Sequence, residues 1–206
     1  MRRHDLIVLG AGTGNALIDD RFAGLDIALV SAGPFGGTCL NAGCIPSKML
    51  AATADVADSV RESERHDIDA ELRGVRWRDI RSRVFGRLDA AAEEGEKGRR
   101  ESEHVTVHRG AARFTGPRRL TVETDDGHVE IEAEQIVIAA GGRPVVPPVV
   151  ADSGLPYETS DTVMRLDEVP RRLVVGGGGG AGAGGGGAPP PPPAPTPPPA
   201  QTAARP

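Results

Sequence analysis

Cysteine, lysine and long apolar runs are all scarce in this chain of 206 residues. Two cysteines, Cys39 and Cys44, make a poor structural staple, and at a spacing of five they point instead to redox or metal chemistry. Lysine occurs twice against 22 arginines, so a lysine beside the cysteines, Lys48, is not compositional background. The first apolar run, Leu6 to Leu9, stops at Gly10 and is too short for a signal-peptide core or a membrane span, so the chain is expected in the cytoplasm. A formal net charge of −5, with acids and bases intermixed, leaves no basic face; neither nucleic acid nor membrane is an expected partner. The five histidines show no finger-like spacing, so zinc lacks two ligands and no metal is expected; each histidine is assigned to solvent. In the last 31 residues 27 are Gly, Ala or Pro, a mixture with too little apolar side chain to offset the entropy of ordering it. About 175 residues of globular character remain.

What is present begins with a strand, Asp5 to Leu9, followed by Gly10-Ala11-Gly12-Thr13-Gly14-Asn15, an expected helix through Phe22, and a second strand, Asp26 to Val30. That is the start of a βαβ unit, whose glycines let a pyrophosphate approach backbone N–H groups at a helix N-terminus. The pattern departs from the dinucleotide fingerprint twice: Asn15 stands at its sixth position, and Ser31 stands where an acid usually holds a ribose hydroxyl. Serine can hydrogen-bond the ribose but brings no charge to the contact, so reduced affinity is expected.

Residues 36–48 read Gly-Gly-Thr-Cys-Leu-Asn-Ala-Gly-Cys-Ile-Pro-Ser-Lys. Two positions five apart on a regular helix point away from each other, so the backbone between the thiols must be irregular if they are to pair. Gly43 permits a break, and Pro46 suits the opening of a helix through Met49, Leu50 and Val56. Thiols just ahead of a helix N-terminus and near Lys48 are biased toward thiolate. Inert buried thiols are the competing reading.

At these residues the chain resembles class I pyridine nucleotide-disulfide oxidoreductases, in their N-terminal part, over about Leu6 to Val175. The resemblance is carried by the Gly-rich turn, the Gly-Gly-Thr-Cys-Leu-Asn-x-Gly-Cys-Ile-Pro-Ser-Lys run, and Ile136 to Pro144. Asn15, Val75-Arg76-Trp77, Ser82 to Arg87 and Thr159 to Met164 resemble the mycothione branch more than the lipoamide or glutathione branches. The resemblance implies an α/β fold with a Rossmann-like FAD-binding domain of the three-layer ββα type. It further implies a homodimer in which NADPH reduces FAD and FAD reduces a small-molecule disulfide, mycothione in that branch. By the same resemblance Cys44 faces the flavin, Cys39 attacks the substrate disulfide, and Lys48 lies near the flavin ring. Gly10, Gly12, Gly14, Asn15, Gly37 and Thr38 border the pyrophosphate, Ser31 the ribose, and Ala112 and Gly141 meet FAD through their main chain.

Between the motifs, Trp77 to Glu103 reads as a helix weakened by Gly86, Gly95 and Gly98, with Trp77 in a docking role. Four strands follow, Val105 to His108, Ala111 to Thr115, Arg119 to Thr124 and His128 to Glu134, with Asp125-Asp126-Gly127 as a hairpin turn. The expected division is an incomplete FAD domain with the redox disulfide over 1–150, a connection over 151–175 ending in the first strand of an NADPH domain, Leu173 to Val175, and a disordered Gly/Pro-rich tail over 176–206. Pro189 to Pro193 cannot continue a helix. The family's NADPH and dimer domains are then missing, and the chain alone is expected not to turn over. The excess of arginine over lysine suggests a GC-rich gene read out of frame in the tail; a genuine P-x-x-P tail that recruits a partner is the rival. Three readings remain: a mycothione-type disulfide reductase whose remainder is lost, a non-catalytic FAD-binding fragment or remnant, and another flavin disulfide reductase such as a dihydrolipoamide dehydrogenase.

Overall fold

The computed structural model describes residues 1–177. By internal contacts Met1–Val169 forms one unit, and Pro170–Pro206 is set apart as a second. In the second unit residues 173–177 carry no regular structure, so no strand forms over 173–175; the expectations for the tail beyond 177 lie outside the described residues.

In the first unit six strands form one sheet in the order β3-β2-β1-β6-β5-β4. They are β1 (Arg2–Leu9), β2 (Ile27–Ser31), β3 (Val105–Arg109), β4 (Ala111–Gly116), β5 (Arg119–Thr124) and β6 (Gly127–Ile138). β2 and β6 both pair with β1 in parallel, β3 pairs with β2 in parallel, and β4, β5 and β6 form an antiparallel meander. β6 spans both halves because it is 12 residues long: its first half pairs with β5 and its second with β1. The apolar runs of β1 and β2 are buried on both faces, as a covered parallel sheet requires. On one face Leu6, Val8, Ile27, Leu29 and Val105 pack with Ala11, Ile18 and Phe35. On the other, Ile7, Leu9, Ala28 and Val30 pack beneath Leu120, Val122, Ile131 and Ala133 of the meander. The result is the Rossmann-like α/β arrangement expected from the sequence.

Four α-helices complete the unit: α1 (Gly37–Asn41), α2 (Cys44–Arg61), α3 (Trp77–Arg100) and α4 (Pro148–Ala151). Val84, Phe85 and Leu88 of α3 are buried against Leu40 of α1, Met49 and Leu50 of α2, and Met164. Residues 163–169 are strapped to α3 by the Trp77 indole, which donates to the Leu166 carbonyl at 2.8 Å, and by Arg165, which pairs with Asp89 at 2.6 Å and lies 4.1 Å over the Phe85 ring. Trp77 therefore has the docking role expected of it.

Two further expectations fail. The segment after Gly12 is not one helix through Phe22 but two short 3-10 turns, Thr13–Leu17 and Asp20–Phe22. The second starts afresh because the Asp19 carboxylate accepts from the Arg21 backbone N–H at 3.0 Å, a capping bond that an uninterrupted helix would forgo. Nor is every histidine in solvent. β1 starts three residues earlier than expected, and His4, paired with Ala133 of β6, is only 2% exposed. Its Nδ1 lies 2.9 Å from the Asp26 carboxylate, and its ring meets half-buried His108 edge-on at 6.2 Å between centroids.

Burial, followed by His4, Arg2 and Arg100, holds the His108 pKa below the ordinary imidazole value. The folded chain therefore binds that proton less readily than the unfolded chain. The stability tied to neutral His108 is present above about pH 6.5 and is lost as the pH falls toward the lowered folded value. Melting temperature measured from pH 7.5 down to 5 should fall more steeply for the wild-type chain than for His108→Gln. Parallel curves would show that His108 does not contribute.

Candidate active site

The backbone crosses from strand to loop at one edge of the sheet, where the parallel strands end. Gly10 leaves β1 with its N–H on the Val30 carbonyl at 2.8 Å, while the Ala139 N–H binds the Leu9 carbonyl at 2.8 Å. Because β2 lies on one side of β1 and β6 on the other, this edge is a topological switch point, the place where open α/β sheets form a ligand crevice. The same edge carries Ser31 at the end of β2, Ala112 just beyond the end of β3, and Gly141 just beyond β6. Gly14 is buried in the first 3-10 turn, and Gly12 accepts the Asn15 N–H at 3.0 Å.

The cysteine segment is docked against this turn by backbone contact. The Gly36 N–H donates to the Ala11 carbonyl at 2.9 Å, and Gly37 has φ +58 with its Cα face against Gly12. A Cβ added at Gly37 would stand 2.7 Å from the Gly12 Cα, so only glycine allows both the dihedral and the approach. Phe35 anchors the segment from below, only 2% exposed in the core. The Asn41 amide closes the loop by donating to the Phe35 and Gly37 carbonyls, both at 2.9 Å.

α1 carries exposed Thr38 and Cys39 and ends at Asn41; α2 begins at Cys44, so the thiols are separated by the irregular step the sequence demanded. Gly43 makes that step possible, since a Cβ there would come within 2.8 Å of the Thr38 carbonyl oxygen. α2 starts two residues before the expected Pro46, which is buried in its first turn where a missing N–H costs no helical bond. Cys44 thus sits in the opening turn of an 18-residue helix, and exposed Lys48 follows one turn later on the same face.

Both cysteines are free thiols at the surface. A hydrogen bond to the Cys44 side chain, then burial, push the Cys39 pKa above the usual thiol range, while Lys48 pulls it back. The Cys44 side chain therefore lies near enough to hold Cys39 in its thiol form, against the bias toward thiolate expected from the sequence.

Ser31 is buried, and its hydroxyl donates to the Gly33 carbonyl at 3.0 Å, leaving only oxygen lone pairs for a ligand. Arg109 also donates to that carbonyl. One residue at the site carries no sequence signal. Arg99, in the last turn of α3, donates to the Asn15 side-chain oxygen at 2.7 Å, the Asn15 carbonyl at 3.0 Å and the Ile18 carbonyl at 2.8 Å. Ala112 is half-buried beside the meander core, and Gly141, at φ +75, has open space around it.

Among the described residues no group of three His, Cys, Asp or Glu is placed to hold a metal, and no helix is long and apolar enough to cross a membrane. A cavity of about 720 Å³ lies between α3 and residues 165–168, lined by Arg81, Phe85, Asp89 and Arg165, and it includes neither cysteine nor any residue of the Gly-rich turn.

The chain as a whole matches a known family. Residues 4–184 match pyridine nucleotide-disulphide oxidoreductase. The chain is 48% identical over 181 residues to mycothione reductase of Mycobacterium tuberculosis strain H37Rv, covering 86% of this chain and 39% of that protein. It is 31% identical over 176 residues to dihydrolipoyl dehydrogenase of Bacillus subtilis strain 168, covering 84% of this chain and 38% of that one. Among solved structures it is similar to the Cu(II) complex of the HOCl-induced flavoprotein disulfide reductase RclA from Escherichia coli. That match has a TM-score of 0.64 at 26% identity and covers 82% of this chain and 36% of the other. The chain thus spans about two fifths of the length of these relatives.

Proposed function

The chain belongs to the pyridine nucleotide-disulphide oxidoreductase family, and on that premise we propose that residues 1–150 bind FAD and set it beside the Cys39–Cys44 pair as the dithiol half of a mycothione-type disulfide reductase. The observation that carries this reading is the contact of Gly12 with Gly37, which joins the Gly-rich turn to the cysteine helix with no side chain between them. A pyrophosphate suits that junction, because Gly12 and Gly37 present main chain rather than side chains there, while Gly10 and Gly14 pack closely on Ala139. The adenosine end fits less well, because Ser31 supplies no carboxylate and spends its hydroxyl proton on Gly33.

When bound, FAD supplies the electron pair that returns the cysteine disulfide to the dithiol. The thiols carry the rest. Cys39, as thiolate, attacks one sulfur of a small disulfide, forming a mixed disulfide and releasing one thiol. Cys44 then attacks the Cys39 sulfur, the second thiol leaves, and Cys39–Cys44 is oxidised by the electron pair the substrate gains. The opening turn of α2 places Cys44 across the break from Cys39 for this second attack. Mycothione is the substrate favoured by the 48% identity to mycothione reductase. In the working protein, a cytoplasmic homodimer, residues 151–175 lead toward an NADPH domain.

FAD binding to the purified chain, followed by quenching of flavin fluorescence, tests the reading. Saturable binding at one flavin per chain is expected. Ser31→Glu should tighten it by roughly tenfold, the worth of one hydrogen bond to a charged group. Absence of binding in both chains would contradict the flavin site.

A further inference from the structure

We propose that Arg99 is a positioning residue that makes the Gly-rich turn competent for a dinucleotide despite Asn15, an inference that rests on the flavin-binding reading above. The fingerprint places a small residue at its sixth position, where helix and strand pack closely. Asparagine there is a liability, since its side chain competes for nearby backbone N–H groups and favours local turns over regular helix. The segment is indeed only a five-residue 3-10 turn, too short to hold itself in place.

Arg99 supplies what the turn lacks. Its Nε takes the Asn15 carboxamide oxygen at 2.7 Å, so that oxygen no longer competes for the N–H groups a phosphate needs. Its Nη2 takes the Asn15 and Ile18 carbonyls at 3.0 and 2.8 Å, which caps the carbonyl end of the turn with a positive charge. Three acceptors reached from two nitrogens of one planar fork is a geometry that lysine cannot reproduce. Arg99 is half-buried and comes from α3, the helix that also packs against α1 and α2. The cysteine helices and the dinucleotide turn are thereby referred to one element, and Asn15 and Arg99 act as a matched pair in place of a single small residue.

The test is a double-mutant cycle on the full chain with FAD affinity and amide hydrogen exchange over residues 10–18 as readouts. Arg99→Gln is expected to weaken FAD by roughly tenfold and to speed exchange in the turn, and Arg99→Lys, which keeps the charge but not the fork, should do nearly the same. Adding Asn15→Gly to Arg99→Gln should recover most of the lost affinity, because no carboxamide then needs restraint. Equal losses with and without Asn15→Gly, or full affinity in Arg99→Lys, would overturn the pairing. If the wild-type chain binds no FAD, the flavin reading fails, and the clamp is decided by exchange alone: unchanged protection over 10–18 in Arg99→Lys would refute it.

Discussion

Cys44→Ser should stop thiol–disulfide exchange at its halfway point. Reduced wild-type chain mixed with a small disulfide is expected to release both thiols and end with a Cys39–Cys44 bridge, whereas Cys44→Ser should accumulate a mixed disulfide on Cys39. The argument is positional. The two cysteines stand on either side of the break between α1 and α2, near enough for Cys44 to perturb the Cys39 thiol, so the second attack is intramolecular and far faster than a second encounter in solution. Removing Cys44 leaves nothing to complete it. Intact mass spectrometry reads the outcome directly; release of both thiols by Cys44→Ser, or a persistent mixed disulfide in the wild type, would contradict it. The pH dependence has a definite sign. The Cys44 side chain is the first cause of the raised Cys39 pKa, so Cys39 alkylation should rise only above the usual thiol range, about 8.5, and Cys44→Ala should shift that rise to lower pH. Lys48→Met should shift it further up, since Lys48 pulls the other way.

Phe35→Ala should be the most damaging core substitution near the site, costing about 3–5 kcal/mol. That is a large share of the roughly 5–15 kcal/mol by which a domain of this kind is stable. Phe35 is only 2% exposed among Ala11, Ile18 and Leu29, and its carbonyl receives the Asn41 amide at 2.9 Å. The side chain therefore fills the space under the junction of the Gly-rich turn and α1, and no neighbouring chain can collapse into it without moving that junction. Urea unfolding should show the loss, and FAD affinity should fall with it. Phe114→Ala, at a residue 53% exposed, should stay within about 0.5 kcal/mol of wild type. A loss below about 1 kcal/mol for Phe35→Ala would mean that the junction is not held by this core.

The sheet was legible because its strands are written in runs of β-branched residues broken by glycine. Arg119 to Thr124 falls where expected, and the Asp125-Asp126-Gly127 turn leads into β6 with Gly127 at φ +122. The start of α3 at Trp77 and the irregular step between the cysteines were equally readable from local chemistry, although α3 ends at Arg100, three residues before the expected Glu103. What was not readable depends on partners far along the chain. His4 looks like a surface residue until β6, some 130 positions later, pairs beside it and buries it. The helix expected after Gly12 has a sound apolar pattern, but Asp19 starts a second turn by capping it, a choice that propensity alone does not reveal. Arg99 lies 84 positions from Asn15, and no motif links the two. Ser31 was visible as a departure from the dinucleotide pattern, yet its commitment to Gly33 depends on the fold of the loop that follows.

The central claim is that flavin and dithiol form one redox unit in this chain. An anaerobic reductive titration of the FAD-loaded, oxidised chain, compared with FAD-loaded Cys44→Ser, tests it most directly. The account predicts that the wild type takes up two electron pairs per flavin, one of them stored in the Cys39–Cys44 dithiol, and that Cys44→Ser takes up one. Equal uptake by both chains would mean that the thiols and the flavin do not exchange electrons, and the assignment of this site would be wrong.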